Sequence, residues 1–397
     1  MKSVDRLPGV QLRWFLGLNN TLLSPYFIFC QMKLVETDSD TGAEIYQLTD
    51  GPRPCDNIYG EQPFSSADGS RIAVRYYAEG DLDGGLSVLD LTDESIHPIL
   101  ETAPRFPAFH AWGEYLYNQV EHGDRKVLKR WNLQTLECEE VFALPDSEDS
   151  FSYGTVSPDD QYYAISVRRT DKSSYVLRIN LSDGDQRVLA DSTSQYYKHE
   201  QFSLDGKNRI LIQANAQDVS VVNLGVLEVD REGFDWLPVD REPTVPDEKD
   251  RWPEGGPYTP RCTGHEAWIG QSDRVFLSTG YDEERQTNIW SASSADNEPA
   301  IVCQSSLLFG HVSVSRCGRY WIGDAVKDEG IPLYIGSFKS GKCKRLINSS
   351  TEHDGQQWSH THPYFTADNR WLIFTSNRAG LPQVHGAKVP DGFLESL

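Results

Sequence analysis

The sequence has almost no methionine, two in 397 residues, and few long apolar runs, which argues against a helical bundle. Positive charge is also scarce, with 37 Lys and Arg against 59 Asp and Glu and a net charge of −22. Such a surface repels phosphate backbones, so nucleic acid is excluded as a partner. An acidic ligand would need locally supplied positive charge, from a metal ion or arginine. The seven cysteines (30, 55, 138, 262, 303, 317 and 343) are odd in number and contain no CxxC pair. Neither a zinc knuckle nor a disulfide framework is indicated, and free thiols in a reducing cytoplasm are expected. The most apolar stretch, Leu22 to Met32, is too short to span a bilayer and is interrupted by Ser24-Pro25, so no membrane partner is expected. The early charged residues and the absence of a sustained apolar run give no secretory signal. Nothing in the sequence specifies an oligomeric state.

What is present is a repeat. A turn of Ser/Thr-x-Asp-Gly type, followed by a short β-branched or aromatic run, recurs near 68, 113, 159, 205, 273, 317 and 368. Examples are Ser66-Ala67-Asp68-Gly69 before RIAVRYY, Ser203-Leu204-Asp205-Gly206 before RILIQA and Thr366-Ala367-Asp368-Asn369 before RWLIFTS. Asp and Gly supply the turn, and the alternating run is a half-buried strand. Four strands per unit at a period of about 46 residues predict an all-β chain, a single seven-bladed β-propeller over residues 1–397. The interval between 205 and 273 is longer than the others, and the excess falls at 236–260, which carries six prolines. Proline lacks the ladder donor, so this segment is read as a surface insertion.

Six to eight residues before the turns, at the start of each blade's first strand, stand His199, His265, His311 and the pair His360 and His362. Tyr153 and Gln62 take the same register in blades three and one. First strands surround a propeller axis, so equivalent positions converge there. Protonated imidazoles would repel one another, whereas neutral ones can surround a cation. His360 and His362, at i and i+2, are expected on one face of a strand. His311 adds a third nitrogen and Gln357 an amide oxygen, a donor set that suits Mn²⁺, Fe²⁺ or Zn²⁺.

The segment from Gln357 through His360-Thr361-His362 to LIFTSN resembles the last blade of the oligogalacturonate lyases. The resemblance covers most of the chain after about residue 40 and is specific from 262 onward. Those enzymes are seven-bladed propellers that bind Mn²⁺ and cleave short pectic oligosaccharides by β-elimination. By this resemblance the metal ligands are His311, Gln357, His360 and His362. The catalytic base falls on His265, in Thr263-Gly264-His265-Glu266-Ala267-Trp268-Ile269. His199 is expected to hold the substrate carboxylate or assist the leaving group. The family's arginine late in blade four has no counterpart in Ser220–Val229; Arg168, Arg169, Arg209 and Arg261 are the candidate substitutes. His110, Tyr153 and Tyr197 leave room for a lyase acting on ulvan or rhamnose-linked glucuronate. The implied partner is an acidic oligosaccharide. A non-catalytic binding propeller would not need the histidine register. A glycosidase would need two axial carboxylates, and Glu200 and Glu266, each following a ring histidine, are expected to face away from the channel.

Overall fold

The computed structural model describes residues 29–58, 62–77, 84–103, 108–109, 112–122, 125–144, 150–152, 154–217, 222–239, 259–296, 298–352 and 357–397. Its strands form seven antiparallel sheets, each built from consecutive strands except the last, and together they make a seven-bladed propeller as the repeat predicts. Blade four is representative: Gln195–Phe202, Arg209–Ala216, Val222–Glu228 and Arg231–Trp236 run from the innermost strand outward. First strands touch between blades two and three, three and four, five and six, and six and seven, as expected of strands that line the axis.

The repeated turn joins each innermost strand to the second. In blade one the Ser66 hydroxyl donates to Asp68 Oδ1 (2.6 Å), which also accepts the Ser70 N–H (3.0 Å). Ser157–Asp159, Ser203–Asp205 and Thr366–Asp368 repeat that bond. The residue that follows sits in the left-handed region, which is why Gly206 or Asn369 stands there. Between blades five and six the turns meet backbone to backbone. A Cβ on Gly270 would lie 2.8 Å from the Gly318 Cα, so no larger residue fits.

Apolar faces of adjacent blades pack into seams. One joins Ile322, Leu333 and Leu346 of blade six to Phe365, Leu372 and Phe374 of blade seven. Each fully buried side chain of this kind contributes about 1.5–3 kcal/mol. Blade seven is closed by the N-terminal segment: Tyr364–Phe365, Trp371–Ser376 and Gln383–Lys388 are continued outward by Glu44–Asp50 and Phe29–Thr37. Ile45 pairs with Ala387 across that junction. Arg345 of blade six adds an ion pair to Asp38 at 2.7 Å. The ring is thereby shut by a β-ladder between the two ends of the described chain.

Of the proline-rich insertion, residues 240–258 lie outside the described residues. No described helix is long and apolar enough to cross a membrane. None of the cysteines described with their side chains forms a disulfide, and Cys303 Sγ donates a weak hydrogen bond to Cys343 Sγ at 3.6 Å.

Candidate metal centre and active site

Local irregularity aims the histidines. His199 stands in a register break between Lys198 and Gln201, with φ 59°. His265 lies in a break between Cys262 and Glu266 beside Gly264, whose φ is 93°, and His311 in one between Phe309 and Val312. Such bulges interrupt simple alternation and re-aim side chains. His360 and His362 differ from expectation. They belong to no strand, but to the loop between a one-turn 3₁₀ helix (Gln357–Ser359) and Tyr364–Phe365. His362 holds φ 38°, a bend that an i, i+2 strand pair would not need.

The loop nevertheless brings His360 and His362 to His311. Nitrogen atoms of the three lie within 4.8 Å of one another. His360 Nδ1 is 3.2 Å from His311 Nε2, and the His311 and His362 rings meet edge to face at 4.5 Å. His311 and His362 are buried and His360 is half-buried. Burial, then the neighbouring His311, His360, His265 and Arg75 charges, hold His362 well below its ordinary pKa. It is therefore neutral near pH 7 and keeps a lone pair for a cation. Three converging imidazole nitrogens in a largely dry site suit a divalent transition metal.

Behind His311 stands Asp324, wholly buried, with Oδ2 2.7 Å from His311 Nδ1. Burial pushes the Asp324 carboxyl up, but His311, then Thr361, hold it down to about 2. Oδ1 accepts the His311 backbone N–H at 2.7 Å, and the Thr361 hydroxyl donates to Oδ2.

The half-buried His265 meets His311 edge to face at 4.6 Å, so blades five, six and seven each contribute to one cluster. His199 forms a separate group. Gln213 Nε2 lies 2.9 Å from His199 Nδ1 and 2.9 Å from both Glu266 oxygens, with Glu266 Oε1 3.6 Å from His199 Nδ1. Glu266 thus stands behind His199, a contact that strand alternation does not anticipate. Glu200 turns toward blade three, where Oε1 accepts from the Ser152 hydroxyl and the Ser166 N–H (2.7 Å). Gln62 of blade one donates to the Glu200 carbonyl of blade four at 2.6 Å, bridging the axis.

The backbone of Gln357 is placed in the 3₁₀ turn, but its side chain lies outside the described residues, as do Tyr153 and His110. Arg261 is exposed immediately before the strand that carries His265, Cys262–Trp268. Arg209 pairs with Asp205 at the turn end of blade four (2.6 Å), away from the histidines. Arg169 is taken by a two-point pair with Asp191. Arg168 stacks on Tyr196 at 4.6 Å and donates to Gln217 Oε1 at 3.3 Å. Tyr197 is buried inside blade four, its hydroxyl on Gln195 Oε1 at 3.2 Å, and does not line the axis.

Residues not anticipated from sequence supply the support. Arg75 is buried and ion-paired with Asp56 at 2.9 Å, Tyr77 donates to the same carboxylate, and Trp358 packs on Tyr77 at 4.8 Å. Arg75, Gln119, Ser166, Gln213, Thr279, Asp324 and Thr375 each occupy the fifth position of their blade's second strand, and all are buried. A polar residue at that fixed offset behind an apolar run was the available signal.

Fold and site together define a seven-bladed propeller with a candidate three-histidine metal centre near its axis. No family model matches the chain. It is 23% identical over 89% of its length to an oligogalacturonide lyase of Pectobacterium atrosepticum and, equally, to an oligogalacturonate lyase of Dickeya dadantii, covering 95% of each. An oligogalacturonate lyase solved in complex with manganese superposes with a TM-score of 0.67 at 19% identity, over 90% of this chain and 96% of that one.

Proposed function

We propose that this chain is a metal-dependent lyase that cleaves an oligogalacturonate-like acidic oligosaccharide by β-elimination. The observation that carries the reading is the convergence of His311, His360 and His362 within 4.8 Å, with the His265 ring 4.6 Å from His311. Similarity to oligogalacturonate lyases along nine-tenths of the chain supports it.

His311, His360 and His362 would hold the cation, Mn²⁺ by analogy with the manganese-bound relative, with Gln357 assigned as a further oxygen ligand. A bound divalent cation supplies Lewis-acid charge that offsets the uronate carboxylate as the C5 proton leaves. The chain's own part is proton transfer and placement. His265 takes the C5 proton, the electron pair forms the C4–C5 double bond, and the C4–O bond breaks with its oxygen gaining a proton. An imidazole suits the base because its pKa lies near working pH. His199, which contacts Gln213 and Glu266, would steady the substrate carboxylate or the leaving group. Arg261, with His110 and Tyr153, is assigned to sugar binding.

The substrate need not be simple oligogalacturonate. The third strand of blade four, Val222–Glu228, contains no arginine, which favours a reshaped uronate pocket and keeps ulvan or rhamnose–glucuronate chains as substrates to test. Free cysteines support a reducing, cytoplasmic setting for such an enzyme. The test is incubation with Mn²⁺ and di- or trigalacturonate, alongside glucuronate-containing glycans, following ultraviolet absorbance of the unsaturated product. Product from at least one uronate is expected; none from any would overturn the reading in favour of a binding propeller.

A further inference from the structure

The seven buried polar residues on the second strands differ in one respect. Six are Arg75, Gln119, Ser166, Gln213, Thr279 and Thr375, and the seventh, Asp324, is the one carboxylate. A wholly buried carboxylate is costly unless each oxygen is well bonded. Asp324 receives three donors: the His311 N–H on Oδ1 at 2.7 Å, and His311 Nδ1 (2.7 Å) and the Thr361 hydroxyl on Oδ2. An ionised carboxylate only accepts, so His311 must carry its proton on Nδ1. That leaves the lone pair on Nε2, the atom 3.2 Å from His360 Nδ1. Thr361 stands between His360 and His362 in sequence. One Asp324 oxygen therefore sets the tautomer of the blade-six ligand and clips the loop bearing the two blade-seven ligands.

Resting on the metal reading above, we propose that Asp324 is the positioning residue of the centre. It turns His311 Nε2 toward the cation and holds the His360-Thr361-His362 loop at the distance a shared ion requires. Carboxylate partners of histidine ligands have this effect generally, and their loss weakens metal binding about 10–100-fold. An amide cannot substitute, because one of its two polar atoms is a donor facing donors.

The experiment compares wild type, Asp324→Asn and Thr361→Val in Mn²⁺ titration calorimetry, with folding checked by circular dichroism. It adds ¹⁵N shifts of the His311 ring in metal-free protein. Asp324→Asn should bind Mn²⁺ about 10–100-fold more weakly, show a changed His311 tautomer, and regain turnover at high Mn²⁺. Thr361→Val should keep the tautomer and lose less affinity, because the carboxylate remains. Wild-type affinity with an unchanged tautomer in Asp324→Asn would overturn the proposal. The ring shifts need no metal, so failure of the wild type to bind Mn²⁺ would sink the metal reading alone. Wild-type shifts placing the proton on Nε2 would then sink the role of Asp324 independently.

Discussion

Asn57 of blade one donates from Nδ2 to the carbonyl of His362 in blade seven at 2.7 Å, with both residues buried. The Thr375 hydroxyl donates to Asn57 Oδ1 at 2.7 Å, and the Thr375 N–H to the Thr361 carbonyl at 2.9 Å. The histidine loop is thus held from blade one as well as from blade six, which explains how His362 keeps its φ of 38°.

Replacing Asn57 by Ala removes that donor from a buried carbonyl, a cost of about 1–3 kcal/mol borne by the loop. Mn²⁺ affinity should fall by about 5- to 100-fold, since about 1.4 kcal/mol is a factor of ten. The thermal midpoint should move little, because the blade seams are untouched. Isothermal titration with unchanged affinity would show that the loop does not depend on Asn57.

The architecture was legible because the turn chemistry repeats: Ser66–Asp68, Ser203–Asp205 and Thr366–Asp368 make the same bond for the same reason. The histidine register was legible too, since first strands line the axis. The local route was not. Two-residue alternation places His360 and His362 on one strand, whereas a bent loop presents them, and bulges at His199, His265 and His311 leave no mark in single-residue propensities. Asp324 closes the run Tyr320-Trp321-Ile322-Gly323 and reads as a strand end until the other six equivalents are aligned with it. The pairings of Asn57 with His362 and of Gln62 with Glu200 cross between blades, beyond any local pattern.

If His265 is the base, His265→Ala should retain metal and fold but lose roughly 10²–10⁴-fold in turnover, the usual range for a general base. The His265 ring contacts His311 without belonging to the three-nitrogen cluster, so Mn²⁺ content should stay near wild type. Turnover near that of wild type would move the base to His199 or His110.

His385 gives a pH test unconnected with the site. It is wholly buried against Phe374, and burial lowers its pKa from 6.5 to about 4, despite the Gln383 carbonyl on Nδ1. The unfolded state protonates first as pH falls, so this contribution is intact above about pH 6.5 and is lost between there and about pH 4. The full loss is on the order of 3 kcal/mol. His385→Leu should therefore lose less stability than wild type between neutral and mildly acidic pH in urea unfolding. Parallel losses in the two proteins would remove His385 from the acid sensitivity.

The central claim is that the three converging histidines bind a cation on which elimination depends. One measurement tests it most directly: unsaturated-product formation from a uronate oligosaccharide by chelator-stripped protein, before and after stoichiometric Mn²⁺, in wild type and in the His360→Ala, His362→Ala double variant. Stripped wild type should be inactive and recover with about one Mn²⁺ per chain, while the folded double variant should bind none and stay inactive. Full activity in protein shown by elemental analysis to hold no metal would contradict the claim.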